Sequence, residues 1–150
     1  MNNIDKLKEQ LKRANKETES LLTKDDDMII QVGMSDCENL ACFFRHFTVS
    51  SLKKPLIINP NTVEEKITYL SENLKLIELD KDRTILRSYP PLEDEKKIIY
   101  FEMKIKPLSM IFSRYAYTKK LGWRTDIFTI LTKENLNRLI EDFVSIVQTE

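Results

Sequence analysis

Residues Lys97–Lys106 read KIIYFEMKIK, and their alternation decides the fold. Ile99, Phe101, Met103 and Ile105 form one set, all apolar, while Ile98, Tyr100, Glu102 and Lys104 form the other. Successive side chains of a strand point to opposite faces, so the first set predicts a buried face. The second set begins apolar and ends charged, which predicts a face covered at one end only. Such a strand needs neighbouring strands and a helical lid.

Toward the C-terminus, Pro107 ends the strand and Met110–Tyr117 alternates again. Thr118–Trp123 contains Gly122 and reads as a hairpin connection, with Arg124–Leu131 as a last strand. Thr132 caps a final helix in which Leu136, Leu139, Ile140, Phe143, Val144 and Val147 follow helical spacing. Toward the N-terminus, Leu92–Lys96 is a charged loop, and Pro90-Pro91 stops a strand over Arg83–Tyr89. Asp80–Asp82 is a turn and Leu74–Leu79 another strand. Thr62 with Glu65 forms a capping box before Val63, Ile67, Leu70 and Leu74. Ser35 with Glu38 forms a second, opening a helix that carries Leu40, Phe43, Phe44 and Phe47. Met28–Val32 reads as a short strand, and Lys24–Asp27 as a solvated linker.

Residues 3–23 read as a helix. Ile4, Leu7, Leu11, Ala14, Thr18 and Leu21 alternate spacings of three and four, which is a heptad seam of about two and a half repeats. The seam serves pairing with a second chain, self or other. The same spacing serves a helix packed on its own domain, and both readings stand. The expected architecture is therefore α+β. A heptad-patterned helix (residues 1–24) precedes one domain (25–150) with two further helices, an antiparallel meander of four or five strands, and a C-terminal helix on the sheet.

Lys plus Arg and Asp plus Glu each number 24, so no global field attracts nucleic acid or an anionic membrane. No apolar run approaches the roughly 18–20 residues that span a bilayer, and the N-terminus lacks a signal-peptide core. Cys37 and Cys42 sit five apart on an expected helix, poorly placed for a disulfide, which fits a reducing intracellular compartment. His46 is the single histidine. With Glu38 and Cys42 it could share a helical face, but the set falls short of a zinc site. No metal or cofactor is expected. There is no GxSxG elbow, and the two isolated glycines, Gly33 and Gly122, exclude a phosphate-cradling loop. Glu64-Glu65 and Glu141-Asp142 diverge as neighbours on helices and make no acid–base dyad.

One local patch stands out. Arg114, Tyr115, Tyr117, Lys119, Lys120, Trp123 and Arg124 cluster around the hairpin. Basic residues interleaved with aromatics suit single-stranded nucleic acid, and equally a peptide surface. Strand aromatics more often serve packing, so an ordinary hairpin with Trp123 tucked into the core is the favoured expectation.

The second half resembles a known family. The capped helix EEKITYLSENLKLIEL, the strand TILRSY, the loop PPLEDEKK, the strand IIYFEMKI and the closing helix TKENLNRLIEDFVSIV follow in order. Residues 62–149 resemble the RWD-type globular heads at the ends of coiled coils in kinetochore proteins. The Tyr89-Pro90 pair is similar to the start of the YPxxxP turn of those heads, although Glu93 and Asp94 stand where its second proline would fall. The resemblance implies a non-enzymatic head that binds partner proteins, a heptad helix paired to another chain, and a nuclear location; without it, the expected location is cytoplasmic.

Overall fold

The computed structural model describes residues 2–38 and 40–149. Strand β8 spans Lys97–Lys106, matching the stretch read from alternation. To number the others in chain order: α1 is Asn3–Arg13, β1 Ser20–Lys24, β2 Met28–Cys37, β3 Cys42–Ser51, β4 Leu56–Ile57 and α2 Pro60–Lys66. Then come β5 Leu74–Leu79, β6 Thr84–Ser88, β7 Leu92–Glu93, β9 Ser109–Thr118, β10 Trp123–Ile127, β11 Thr129–Leu131, α3 Lys133–Ile146 and β12 Gln148–Thr149. The chain is mixed α+β.

The main sheet is antiparallel, in the order β1-β2-β3-β9-β8-β6-β5. Its middle strand is β9, and β8 lies beside it. Two meanders thus meet at the β3–β9 pairing, so the sheet is wider than the expected four or five strands. The meander β5, β6, β8, β9 accounts for only one half. The other half comes from β1, β2 and β3, where the sequence predicts strand only for Met28–Val32.

Residues paired across a ladder share a face. Val32, Phe47, Phe112, Met103 and Leu86 therefore line up on one face. Phe143 of α3 meets both Phe47 and Phe112 edge-on, with ring centroids 5.0 Å apart. Leu7 and Leu11 of α1, Val63 of α2, and Leu136, Leu139 and Ile140 of α3 join the same buried cluster. The core therefore lies between the helices and this one face.

Several expectations change. Helix α1 stops at Arg13, because Ala14 takes an extended conformation as its C-cap. Asn15 and Thr18 then close a turn by accepting from the backbone N–H of Glu17 and Asn15. Of the expected seam, Leu7 and Leu11 are fully buried in the chain's own core, Leu21 is buried on β1, and Thr18 lies in the turn. The heptad reading gives way to an amphipathic helix packed on α3 and β1.

Second, Ser35–Glu38 opens no helix: β2 runs on through Ser35 to Cys37 and pairs with β3 as a hairpin. The register skips Arg45, so Phe44 pairs with Met34 and Phe47 with Val32. This bulge turns two phenylalanines three apart to the same face, which copies helical spacing. Third, Cys37 and Cys42 face each other across that hairpin, with Cα atoms 4.1 Å apart, and are joined as a disulfide. On a strand pair the five-residue separation brings them together, as a helix would not. Fourth, Asn59 rather than Thr62 caps α2, with Pro60 in its first turn, and the helix ends at Lys66.

Asp25–Asp27 forms the β1–β2 turn rather than a linker. Asp25 accepts from the backbone N–H groups of Asp27 and Met28, which lower its pKa. Gly122 has φ 74° in the β9–β10 connection, the left-handed conformation that glycine takes without strain.

Candidate interaction surfaces

The helix-free face of the sheet carries a continuous polar row. Ladder partners place His46, Ser113, Glu102, Arg87 and Lys75 side by side across β3, β9, β8, β6 and β5. Glu102 is only 2% exposed, although no helix covers it. Arg124 grips it with two bonds of 2.9 Å, and Arg87 Nε donates at 2.8 Å. Burial would raise the Glu102 carboxyl, but the two arginines outweigh it and hold its pKa below the ordinary value. The same grip raises the Arg124 pKa. Arg124 also lies 3.8 Å from the Tyr115 ring centroid, and Arg87 lies 5.3 Å from that of Tyr100. The expected apolar-to-charged gradient of this face is thus replaced by a charge network that buries its own centre.

Beside it, His46 joins Ser113 and Asp126. Nδ1 is 2.7 Å from Ser113 Oγ, and Nε2 is 3.1 Å from Asp126. The site forms where β3 and β9 part and β10 enters. With Nε2–H donating to Asp126, Nδ1 accepts from the serine, the order a nucleophilic serine requires. Yet Ser113 has no exposed surface. It sits mid-strand, with no sharp turn to present its Oγ. A depression of about 300 Å³ borders His46, Arg45 and Phe128 but does not reach Ser113. The trio ties three strands together. Among the described residues, no group of three or more His, Cys, Asp or Glu side chains is placed to hold a metal ion.

The hairpin patch is brought together in sequence but divided in space. Arg114 lies on the core-side face, 3.2 Å from Glu72 and over the Phe101 ring at 4.5 Å. Burial pushes the Glu72 carboxyl up, and Arg114 offsets this only in part. Tyr115, Tyr117 and Arg124 lie on the opposite face. Lys119 is spent on Glu93 and the carbonyl of Asp94, each at 2.8 Å, which leaves Lys120 in the connection. Trp123 is not in the core: it is 59% exposed.

Trp123 belongs to a projecting arm. β8 and β9 pair along ten residues each, with β7 and β10 on their flanks. Leu92, Ile99, Ala116 and Thr125 share one face there, with Trp123 diagonal to Ala116. Leu92 and Leu121 are each more than half exposed. The alternation in β10 sets Trp123, Thr125 and Ile127 against Arg124 and Asp126, so the sequence carried no sign that Trp123 would be exposed.

A larger depression of about 550 Å³ lies between α1 and α3, lined by Lys8, Leu11, Lys12, Lys133 and Asn137. Lys8 is engaged by Glu141, and Lys133 by the carbonyl of Ala14. None of the described helices is long and apolar enough to cross a membrane. No family model, curated protein or solved structure matches the chain.

Proposed function

We propose that the chain is a non-enzymatic protein-interaction module whose docking surface is the β7–β10 arm, anchored by Trp123. The carrying observation is the 59% exposure of Trp123, with the exposed Leu121 two residues before it and the exposed Leu92 on the same face of the arm, three strands away. Exposed tryptophan with neighbouring apolar side chains is the composition of interface hot spots. The partner is a protein with an apolar pocket that takes the indole. Pairing of the hairpin cations with Glu72, Glu93 and Glu102 supports protein docking over phosphate contacts. Within residues 62–149, β5, β6, β8 and β9 form a meander followed by α3, an order that supports the RWD-type resemblance as part of this proposal.

The experiment compares the full chain with Trp123→Ala, both checked for folding by circular dichroism. Light scattering across concentration tests self-association, and quantitative affinity capture tests other partners. The reading expects one associated species, a second copy or another protein, to be lost in the variant. An unchanged set of associated proteins overturns it.

A further inference from the structure

The helix-free face carries a cation surplus that the balanced sequence hides. Lys75 lies directly opposite Arg87, a like-charge pair across β5 and β6. Like charges in that position repel unless an anion sits between them. Lys104 shares the face, two residues along β8 from Glu102. Lys75, Arg87, Lys104 and Arg124 thus surround one carboxylate, because the nearby Glu78 is held by Arg83 at 3.1 Å. Among the described residues, Lys75 and Lys104 have no acidic partner, and only Nε of Arg87 is bonded. The terminal amino groups of Arg87, its orientation fixed by Glu102 and Tyr100, present an open fork of the kind that receives a carboxylate.

We infer that this face docks an acidic segment of a partner protein, whose carboxylates sit between Lys75, Arg87 and Lys104. Charge complementarity argues for the occupant, and the aromatics argue against nucleic acid. Arg87 already lies over Tyr100 and Arg124 over Tyr115, so bases cannot stack there without displacing the guanidinium groups. The inference uses a different surface from the Trp123 arm and stands or falls separately.

The test titrates the full chain into a fluorescent peptide of alternating glutamate and threonine at low salt, and in parallel into labelled oligothymidylate. The wild type binds the peptide. The double variant Lys75→Gln, Lys104→Gln weakens binding by about tenfold, and charge reversal to Glu at both positions removes it. Lys16→Gln, in the α1–β1 connection, leaves it unchanged. All variants are exposed or half-exposed substitutions, and circular dichroism verifies their fold. Absence of peptide binding by the wild type, or equal binding by the Gln and Glu variants, overturns the inference. So does oligothymidylate binding that is tighter than peptide binding and lost in the same variants.

Discussion

Arg124 holds both carboxylate oxygens of Glu102, each 2.9 Å from a guanidinium nitrogen, on a face of the sheet that no helix covers. A bidentate pair of this kind is strong because geometry and charge act together. It also makes Glu102 a buried charge on which two arginines depend.

Replacing Glu102 with Gln leaves Arg87 and Arg124 without their counter-charge. Breaking a fully buried pair costs about 3–5 kcal/mol. These arginines are 39% and 31% exposed, so water recovers part of that and about 2 kcal/mol is expected. Urea unfolding at neutral pH measures it.

The same carboxylate sets an acid dependence. The Glu102 pKa is lowered in the folded chain, so near the ordinary glutamate value the unfolded state takes up a proton that the folded state refuses. Its contribution is full above that value and is lost as pH falls through the lower folded pKa. Asp25 acts with the same sign. Glu72, raised by burial, acts with the opposite sign: its contribution is present at low pH and lost as pH rises through its folded pKa. Unfolding curves across acid pH should show the wild type losing more stability than Glu102→Gln as pH falls. Equal slopes would refute the assignment.

Leu11→Asp separates the two roles open to the N-terminal helix. Leu11 is fully buried in the chain's own core, so a charge there costs at least about 4 kcal/mol and unfolds the sheet with the helix. A chain that begins at Asp27 should fail in the same way, since it lacks Leu7, Leu11 and β1. Circular dichroism reads the outcome. A folded, merely dissociated variant would restore the coiled-coil reading.

How far the sequence reveals this fold depends on how regular each segment is. β8 was legible residue by residue because Ile99, Phe101, Met103 and Ile105 alternate without interruption. Thr132 and the apolar stripe of α3 were equally plain. The β2–β3 hairpin was not, because the bulge at Arg45 spaces Phe44 and Phe47 like a helix, while Ser35 and Glu38 imitate a cap. The α1 boundary was hidden because Leu21 continues the heptad spacing from a different element, β1. The charge network was invisible for a different reason: Lys75, Arg87, Glu102 and Arg124 come from four strands, and only the register makes them neighbours. The pairing of Cys37 with Cys42 followed the same logic, since misassigning the hairpin as a helix reversed its geometry.

Ser113 offers a direct check on catalysis. Its oxygen is hydrogen-bonded to His46 but has no exposed surface. A fluorophosphonate probe should leave it unlabelled after prolonged incubation, as judged by intact mass. Labelling that disappears in Ser113→Ala would show the trio opening to solvent and would establish a reactive serine.

The outer strands β1 and β5 are each met by a side chain, and one of these protections is specific enough to test. Gln10 of α1 accepts from the Leu22 N–H at 2.8 Å and donates to the Leu22 carbonyl at 2.7 Å, as a neighbouring strand would. At the other edge, Glu64 accepts from the Leu76 N–H at 2.8 Å. An uncapped edge recruits strands from other molecules. Gln10→Ala removes two bonds to a half-exposed strand and should cost about 1 kcal/mol, in line with ordinary side-chain hydrogen bonds. Its larger effect is on association: light scattering should show concentration-dependent oligomers absent from the wild type. Gln10→Glu keeps only the accepting half of the clamp and should fall between the two. If Gln10→Ala stays as monodisperse as the wild type, the exposed Leu22 edge is guarded by something other than this glutamine.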